Sequence, residues 1–179
     1  MRTLARIREM KPFHPKIGKN VYVAKSAVVK GRVTLGDDSS IWPGSVLRGD
    51  INRIVVGRYF NIQDLSILHV ETDKPCRVGE YVTVGHGVIL HACTVKDGSL
   101  VGMGSIVMDG AVIGPGTILG AGSLVPHGQR LKPGSLYFGR PARFVRKLTP
   151  KEIRGLIQWA KRYVHYAQAH REGRYQSCQ

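Results

Sequence analysis

Residues 95–125 read VKDGSLVGMGSIVMDGAVIGPGTILGAGSLV. Val95, Val101, Val107, Ile113, Leu119 and Val125 recur every six positions without interruption. Outward from this stretch the same phase returns at Ile17, Val23, Val29, Leu35, Ile41 and Leu47, at Val56, Ile62 and Leu68, and at Val78, Val84 and Leu90. A six-residue apolar period marks a parallel β-helix, in which each hexad supplies one short strand and one turn. Three hexads close one triangular coil, so the repeat predicts a mainly β prism of about six stacked coils with one continuous core. A β-sandwich would instead alternate with period two over longer runs. Glycine follows many of the apolar residues, as at Gly36, Gly57, Gly85 and Gly102, and is expected there to permit tight corners.

The register breaks three times. Nine residues separate Leu47 from Val56, ten separate Leu68 from Val78, and five separate Leu90 from Val95. The two insertions are expected to bulge outward as loops, where function often sits on a rigid scaffold. After the repeat, Thr149-Pro150-Lys151-Glu152 reads as a capping box with proline in the first turn. Ile153, Leu156, Ile157, Ala160, Val164 and Ala167 then follow helical spacing on one face. The layout read from this is an N-terminal extension (1–16), the repeat prism (17–130), a return segment (131–148), and a helix with its tail (149–179). The helix stripe needs a partner, either the prism's flank or a neighbouring subunit.

The formal net charge is +15. It belongs to the two ends: residues 1–19 hold six Lys or Arg and one acid, and residues 140–179 hold ten and two. Basic ends can meet nucleic acid, but no stacking pattern or nucleic-acid motif accompanies them, so a solvated basic surface is expected. The apolar runs are too short for a membrane-spanning helix. The segment MRTLARIREM lacks the apolar stretch of a secretory signal. Cys76, Cys93 and Cys178 match no zinc or redox spacing and read as free thiols in a reducing compartment. A cytoplasmic protein with no membrane partner is expected.

The repeat places three histidines. His69 follows Leu68 and His91 follows Leu90, so they take the same repeat position one coil apart. Coils stack about 4.8 Å apart, close enough for both imidazoles to reach one ion. His86 lies two residues past Val84, on a different face, above Gln63-Asp64. One side of the triangle spans roughly 16–20 Å, which keeps His86 from joining the other two within one chain. Three prisms packed side by side around a threefold axis would bring His86 of one subunit to His69 and His91 of the next. Three neutral imidazoles with an open fourth position suit a catalytic zinc, and imidazole also suits iron and cobalt. His14, His127, His165 and His170 show no such pattern and are expected to be exposed or helical.

The ordered set Ile41-Trp42-Pro43-Gly44-Ser45-Val46-Leu47-Arg48-Gly49-Asp50, Asn61-Ile62-Gln63-Asp64, His69, Val84-Gly85-His86-Gly87 and His91 resembles the gamma-class carbonic anhydrases. The resemblance runs over nearly the whole chain. It implies a left-handed β-helix, a homotrimer with metals at its interfaces, and His69, His86 and His91 as the ligands. The implied reaction is reversible hydration of CO2 to bicarbonate by hydroxide on the metal. Gln63 would orient that hydroxide. Arg48 would pair with an aspartate across the interface and hold bicarbonate, and Asp50 and Asp64 would complete the polar network. Tyr163 matches a tyrosine that points into the site in many members.

The chain also departs from the pattern. Ile51 follows Asp50 where the best-studied members have glutamate, and the acidic loop is reduced to Glu71-Thr72-Asp73-Lys74. Gly87 stands where relatives often carry asparagine. Proton transfer is thus left without its usual carboxylates. Two other readings stay open: a metal-binding scaffold with weak or no catalysis, and an acyl-CoA thioesterase or acyltransferase of the hexapeptide class.

Overall fold

The computed structural model describes residues 12–175. The basic first eleven residues, with most of the expected extension 1–16, and Cys178 lie outside them. The described chain is a parallel β-solenoid followed by one helix, Pro150–Arg171. Two faces of the prism carry seven rungs, ending at Arg130–Leu131 and Ser135–Phe138, and the third carries six, ending at Leu124–Val125. The solenoid therefore runs two rungs past the expected boundary at residue 130. Leu131 and Tyr137 continue the inward series there, 3% and 6% exposed.

Hexads of identical phase pair in register, so Leu68 stacks on Leu90 and Val84 on Val101. From Leu35 to Val125 every predicted inward residue is buried. Each such fully buried Val, Leu or Ile contributes about 1.5–3 kcal/mol. Ile17 and Val23 are 48% and 39% exposed because they form the first coil, with no described rung beneath them. The opposite end is closed by a hairpin, Ser135–Phe138 against Arg143–Lys147. Its turn lies across the last rung: the Ala142 amide donates to the Leu124 carbonyl at 2.7 Å and Gln129 Nε2 donates to the Ala142 carbonyl at 2.9 Å.

The glycines after the inward residues serve a different purpose from the one expected. A Cβ on Gly36 would stand 2.5 Å from the Gly57 carbonyl carbon, so these positions are glycine because the next coil passes so close. The left-handed corners come later in each hexad, and several are not glycine: Asp38, Tyr59, Leu65 and Tyr81 have φ of 58°, 56°, 60° and 55°.

The first insertion turns outward as expected, but as a bulge inside a strand rather than a separate loop: Gly49 pairs with Gly31 and Ile54 with Val33, so residues 50–53 stand opposite Arg32 alone. Val46–Val56 is one continuous strand paired with Val28–Leu35, and the extra residues are absorbed by a register shift between Gly31 and Val33. Within the bulge the backbone finds side-chain partners instead of a strand: the Ile51 amide donates to Asp50 Oδ1 at 2.9 Å and the Arg53 amide to Asn52 Oδ1 at 2.8 Å. The second insertion also turns outward: Glu71 and Lys74 close a short turn, and Asn52 Nδ2 ties the two insertions by donating to the Glu71 and Thr72 carbonyls at 3.1 and 3.0 Å.

The helix starts as its sequence predicts, with Thr149 as N-cap and a complete capping box to Glu152. Leu156, Ala160 and Ala167 are buried against the prism's own second face. No helix among the described residues is long and apolar enough to cross a membrane.

Candidate metal centre

Parallel pairing sets His69 directly beside His91, at the ends of strands Ile67–His69 and Ile89–His91. Their rings face each other, with His69 Nδ1 3.1 Å from His91 Nε2. Each ring's other nitrogen meets a carboxylate. His69 Nε2 lies 3.1 Å from Asp50 Oδ1, and His91 Nδ1 lies 2.5 Å from Asp109 Oδ1. If both rings donate to those carboxylates, the two facing nitrogens both present lone pairs. Such an arrangement calls for a cation between them, either a shared proton or a metal ion. Nitrogens bound about 2.0–2.1 Å from one tetrahedral zinc stand about 3.3 Å apart, so the observed 3.1 Å spacing fits two ligands of a single ion.

His86 follows the strand Thr83–Val84 on the other sheet. Its Nδ1 is 2.9 Å from Asp64 Oδ2, which leaves Nε2 unengaged by that partner. The His86 side chain is 54% exposed, against 16% for His69 and 33% for His91. It therefore points out from the corner and is open to a second chain. Among the described residues no three His, Cys, Asp or Glu side chains are arranged to hold an ion within one chain.

Around Asp50 the geometry follows from the bulged insertion, where pairing lapses after Gly49. The strand carries Asp50 beyond the edge of the sheet, where Arg48 of the same chain forms a short ion pair with it. Burial pushes the Asp50 carboxyl up, but hydrogen bonds from Arg48, the Ile51 amide and His69 outweigh it and hold the group at about 2. Asp109 is likewise held below the usual carboxylate range, chiefly by its hydrogen bond with His91.

A cavity of about 320 Å³ adjoins His86, lined by Trp42, Gln63, Asp64, Tyr163 and His170 among others. Gln63 is 7% exposed. The Trp42 indole N–H donates to Ser40 Oγ at 3.0 Å, which fixes the ring. Tyr163 and His170 of the helix stand edge-on to it, with ring centroids 5.8 and 4.9 Å away. Burial pushes the Tyr163 phenol up, aided by Tyr166 and Asp64, and burial together with Asp64 does the same to Tyr22. Both phenols remain protonated donors at neutral pH.

The structure thus places Gln63, Asp64, His86 and Tyr163 around one cavity, and Arg48, Asp50, His69 and His91 around another corner. Two participants escaped the sequence reading. Asp109 lies one coil beyond His91, and only the one-residue contraction after Leu90 hinted that this corner is unusual. His170, expected to be merely exposed or helical, packs on Trp42. Its signal was its spacing, seven residues or two helical turns past Tyr163.

Residues 14–49 and 92–127 match the family model for bacterial transferase hexapeptide repeats. The unmatched stretch between them holds both insertions and His69, His86 and His91. A protein named as a probable carbonic anhydrase in Methanocaldococcus jannaschii is 53% identical over 148 residues, 83% of this chain and 93% of that one. The mitochondrial gamma carbonic anhydrase 2 of Arabidopsis thaliana is 44% identical over 87% of this chain, which spans 58% of that longer protein. Among solved structures, a hexapeptide transferase family protein from Anaplasma phagocytophilum superposes with a TM-score of 0.84 at 43% identity, covering 88% of this chain and 93% of that one.

Proposed function

The chain belongs to the gamma-class carbonic anhydrase family of hexapeptide-repeat proteins, and from that premise we propose that it catalyses the reversible, metal-dependent hydration of CO2 to bicarbonate at sites shared between the chains of a homotrimer. The observation that carries this reading is the pair of facing imidazole nitrogens of His69 and His91, 3.1 Å apart. They are spaced for one ion, and among the described residues their own chain supplies no third ligand. His69 and His91 of one chain and His86 of its neighbour would hold the metal. Zinc, iron or cobalt bound there would supply a Lewis acid that lowers the pKa of water toward neutrality.

The outer surface of the third face supports the trimer. Its outward residues Val28, Val46, Ile67, Ile89, Ile106 and Leu124 stack into an unbroken apolar ladder. The first face instead presents Lys16, Thr34, Val55, Arg77, Thr94, Val112 and Arg130 outward, and the second face is covered by the helix. Leu65, Met103 and Met108 flank the ladder, 72%, 58% and 42% exposed. An apolar surface this continuous marks an interaction site. It separates the corner bearing His86 from the corner bearing His69 and His91. A threefold arrangement covers it and joins unlike corners in one step.

The chain's own groups then take these roles. Asp64 accepts the His86 Nδ1–H and turns Nε2 toward the neighbour. Asp50, held by Arg48, does the same for His69. The Gln63 amide, buried beside the cavity, can both donate to and accept from the attacking water and so orient it. The Tyr163 phenol is a further donor on the cavity wall. The Arg48 guanidinium is suited to a planar oxyanion such as bicarbonate.

A second reading is a metal-holding trimer with slow turnover. It is favoured by Ile51, 43% exposed beside Asp50, which cannot carry a proton. One experiment decides between them: metal content of the anaerobically purified protein together with stopped-flow CO2 hydration, on wild type and His91→Ala. Metal near one per chain, with hydration lost in the variant, supports the enzyme. Bound metal without hydration supports the second reading. Hydration undiminished in the variant overturns the assignment of the site.

A further inference from the structure

The His91 imidazole has its own carboxylate, supplied by the following coil. Asp109 Oδ1 lies 2.5 Å from His91 Nδ1, and both side chains are partly sheltered, 26% and 33% exposed. The contact follows from the way this corner is built. Only five residues separate Leu90 from Val95, and Ala92 takes the turn at φ 44°, the left-handed region usually left to glycine. The Ala92 amide bonds the His69 carbonyl at 3.0 Å, and the Gly110 amide bonds the Ala92 carbonyl at 2.9 Å. The contracted corner is thereby clamped from both sides, and the Asp109-Gly110 turn is drawn over the His91 ring.

We propose that Asp109 is a positioning residue for metal binding, fixing the tautomer and orientation of His91 so that its Nε2 faces the ion. The reasoning is that of a carboxylate paired with a ligand histidine. By accepting the Nδ1–H, the carboxylate leaves the lone pair on Nε2, raises its basicity and stops the ring from rotating. With Asp50 on His69 and Asp64 on His86, each of the three imidazoles has one aspartate, and the three come from three different coils. His91 would otherwise be the one ligand without a partner. A solvated surface ion pair would make a weaker claim, because exposed pairs contribute little. Here, however, the carboxylate contacts the nitrogen opposite the one that faces His69.

The inference rests on the metal reading above, and the test keeps the two apart. Zinc affinity is measured on the metal-free full-length protein by competition with a chromophoric chelator, for wild type, Asp109→Ala and Asp109→Asn. The melting temperature and mass of each metal-free variant are recorded alongside. The expected result is a loss of about 10–100-fold in zinc affinity for Asp109→Ala. Asp109→Asn, whose amide oxygen still accepts the Nδ1–H without the charge, should fall between. The metal-free melting temperature and oligomeric mass should match wild type. Wild-type protein that takes up no zinc would sink the metal reading itself. Zinc binding in wild type with equal affinity in Asp109→Ala would overturn the role of Asp109 alone, as would a loss of affinity matched by a loss of metal-free stability or assembly.

Discussion

Mixing two inactive variants separates a shared site from a self-contained one. His86→Ala removes the ligand at one corner of the apolar face, and His91→Ala removes a ligand at the other. If each site takes His86 from one chain and His69 with His91 from the next, a homotrimer of either variant has no complete site. In a mixed trimer, a complete site forms wherever a His91→Ala chain offers its intact His86 to a His86→Ala chain with intact His69 and His91. For random assembly at equal amounts this holds at about one interface in four, given the head-to-tail contacts of a threefold ring. Co-expression, with heterotrimers verified by native mass spectrometry, should therefore restore about a quarter of the wild-type metal content and hydration rate from two parents that have neither. The reasoning is refuted if either homotrimer keeps the wild-type metal stoichiometry. It is equally refuted if verified heterotrimers bind none.

Three further outcomes are expected. Ile89→Asp puts a charge in the middle of the apolar ladder and should leave monomers at micromolar concentration in analytical ultracentrifugation; a persistent trimer would place the interface elsewhere. Gly31→Ala introduces a Cβ at φ 84° with the Gly49 carbonyl oxygen 2.4 Å away, and should cost about 2 kcal/mol or more in denaturant unfolding. A change within about 0.5 kcal/mol would show that the register shift tolerates a side chain. Glu152 is held at about 2, first by Arg146 and then by Thr149. Because the folded pKa is depressed, its contribution is complete above the ordinary value of about 4.5 and is lost as pH falls toward 2. The stability gap between wild type and Glu152→Gln, followed by helical circular dichroism, should accordingly close between pH 4.5 and 2, the limits set by those two values; a gap independent of pH would show that the carboxylate charge plays no part in the cap.

Much of the site was legible because it rides on the repeat. Leu68 and Leu90 share a phase, so the residues after them, His69 and His91, had to stack. Val84 lies on another face, so His86 had to diverge. The same logic named the buried ladder from Leu35 to Val125, and the capping box at Thr149 could be read because its partners lie within one turn. The glycines after the inward residues were found by the same spacing but given the wrong reason: close approach of the next coil, not a left-handed corner, excludes a Cβ at Gly36.

Periodicity is a local rule repeated, so a sequence alone settles everything that depends on a residue's phase within its own hexad. It does not settle contacts made where the phase breaks. Where the bulge of residues 50–53 falls depended on where backbone pairing with Val28–Leu35 lapses and resumes, and that choice put Asp50 against His69. The meeting of Asp109 with His91 required the contracted corner at Ala92. The wall formed by Trp42, Tyr163 and His170 required the helix to dock on its own prism. Each of these joins segments far apart in the chain through packing and hydrogen bonds that only the folded arrangement can choose.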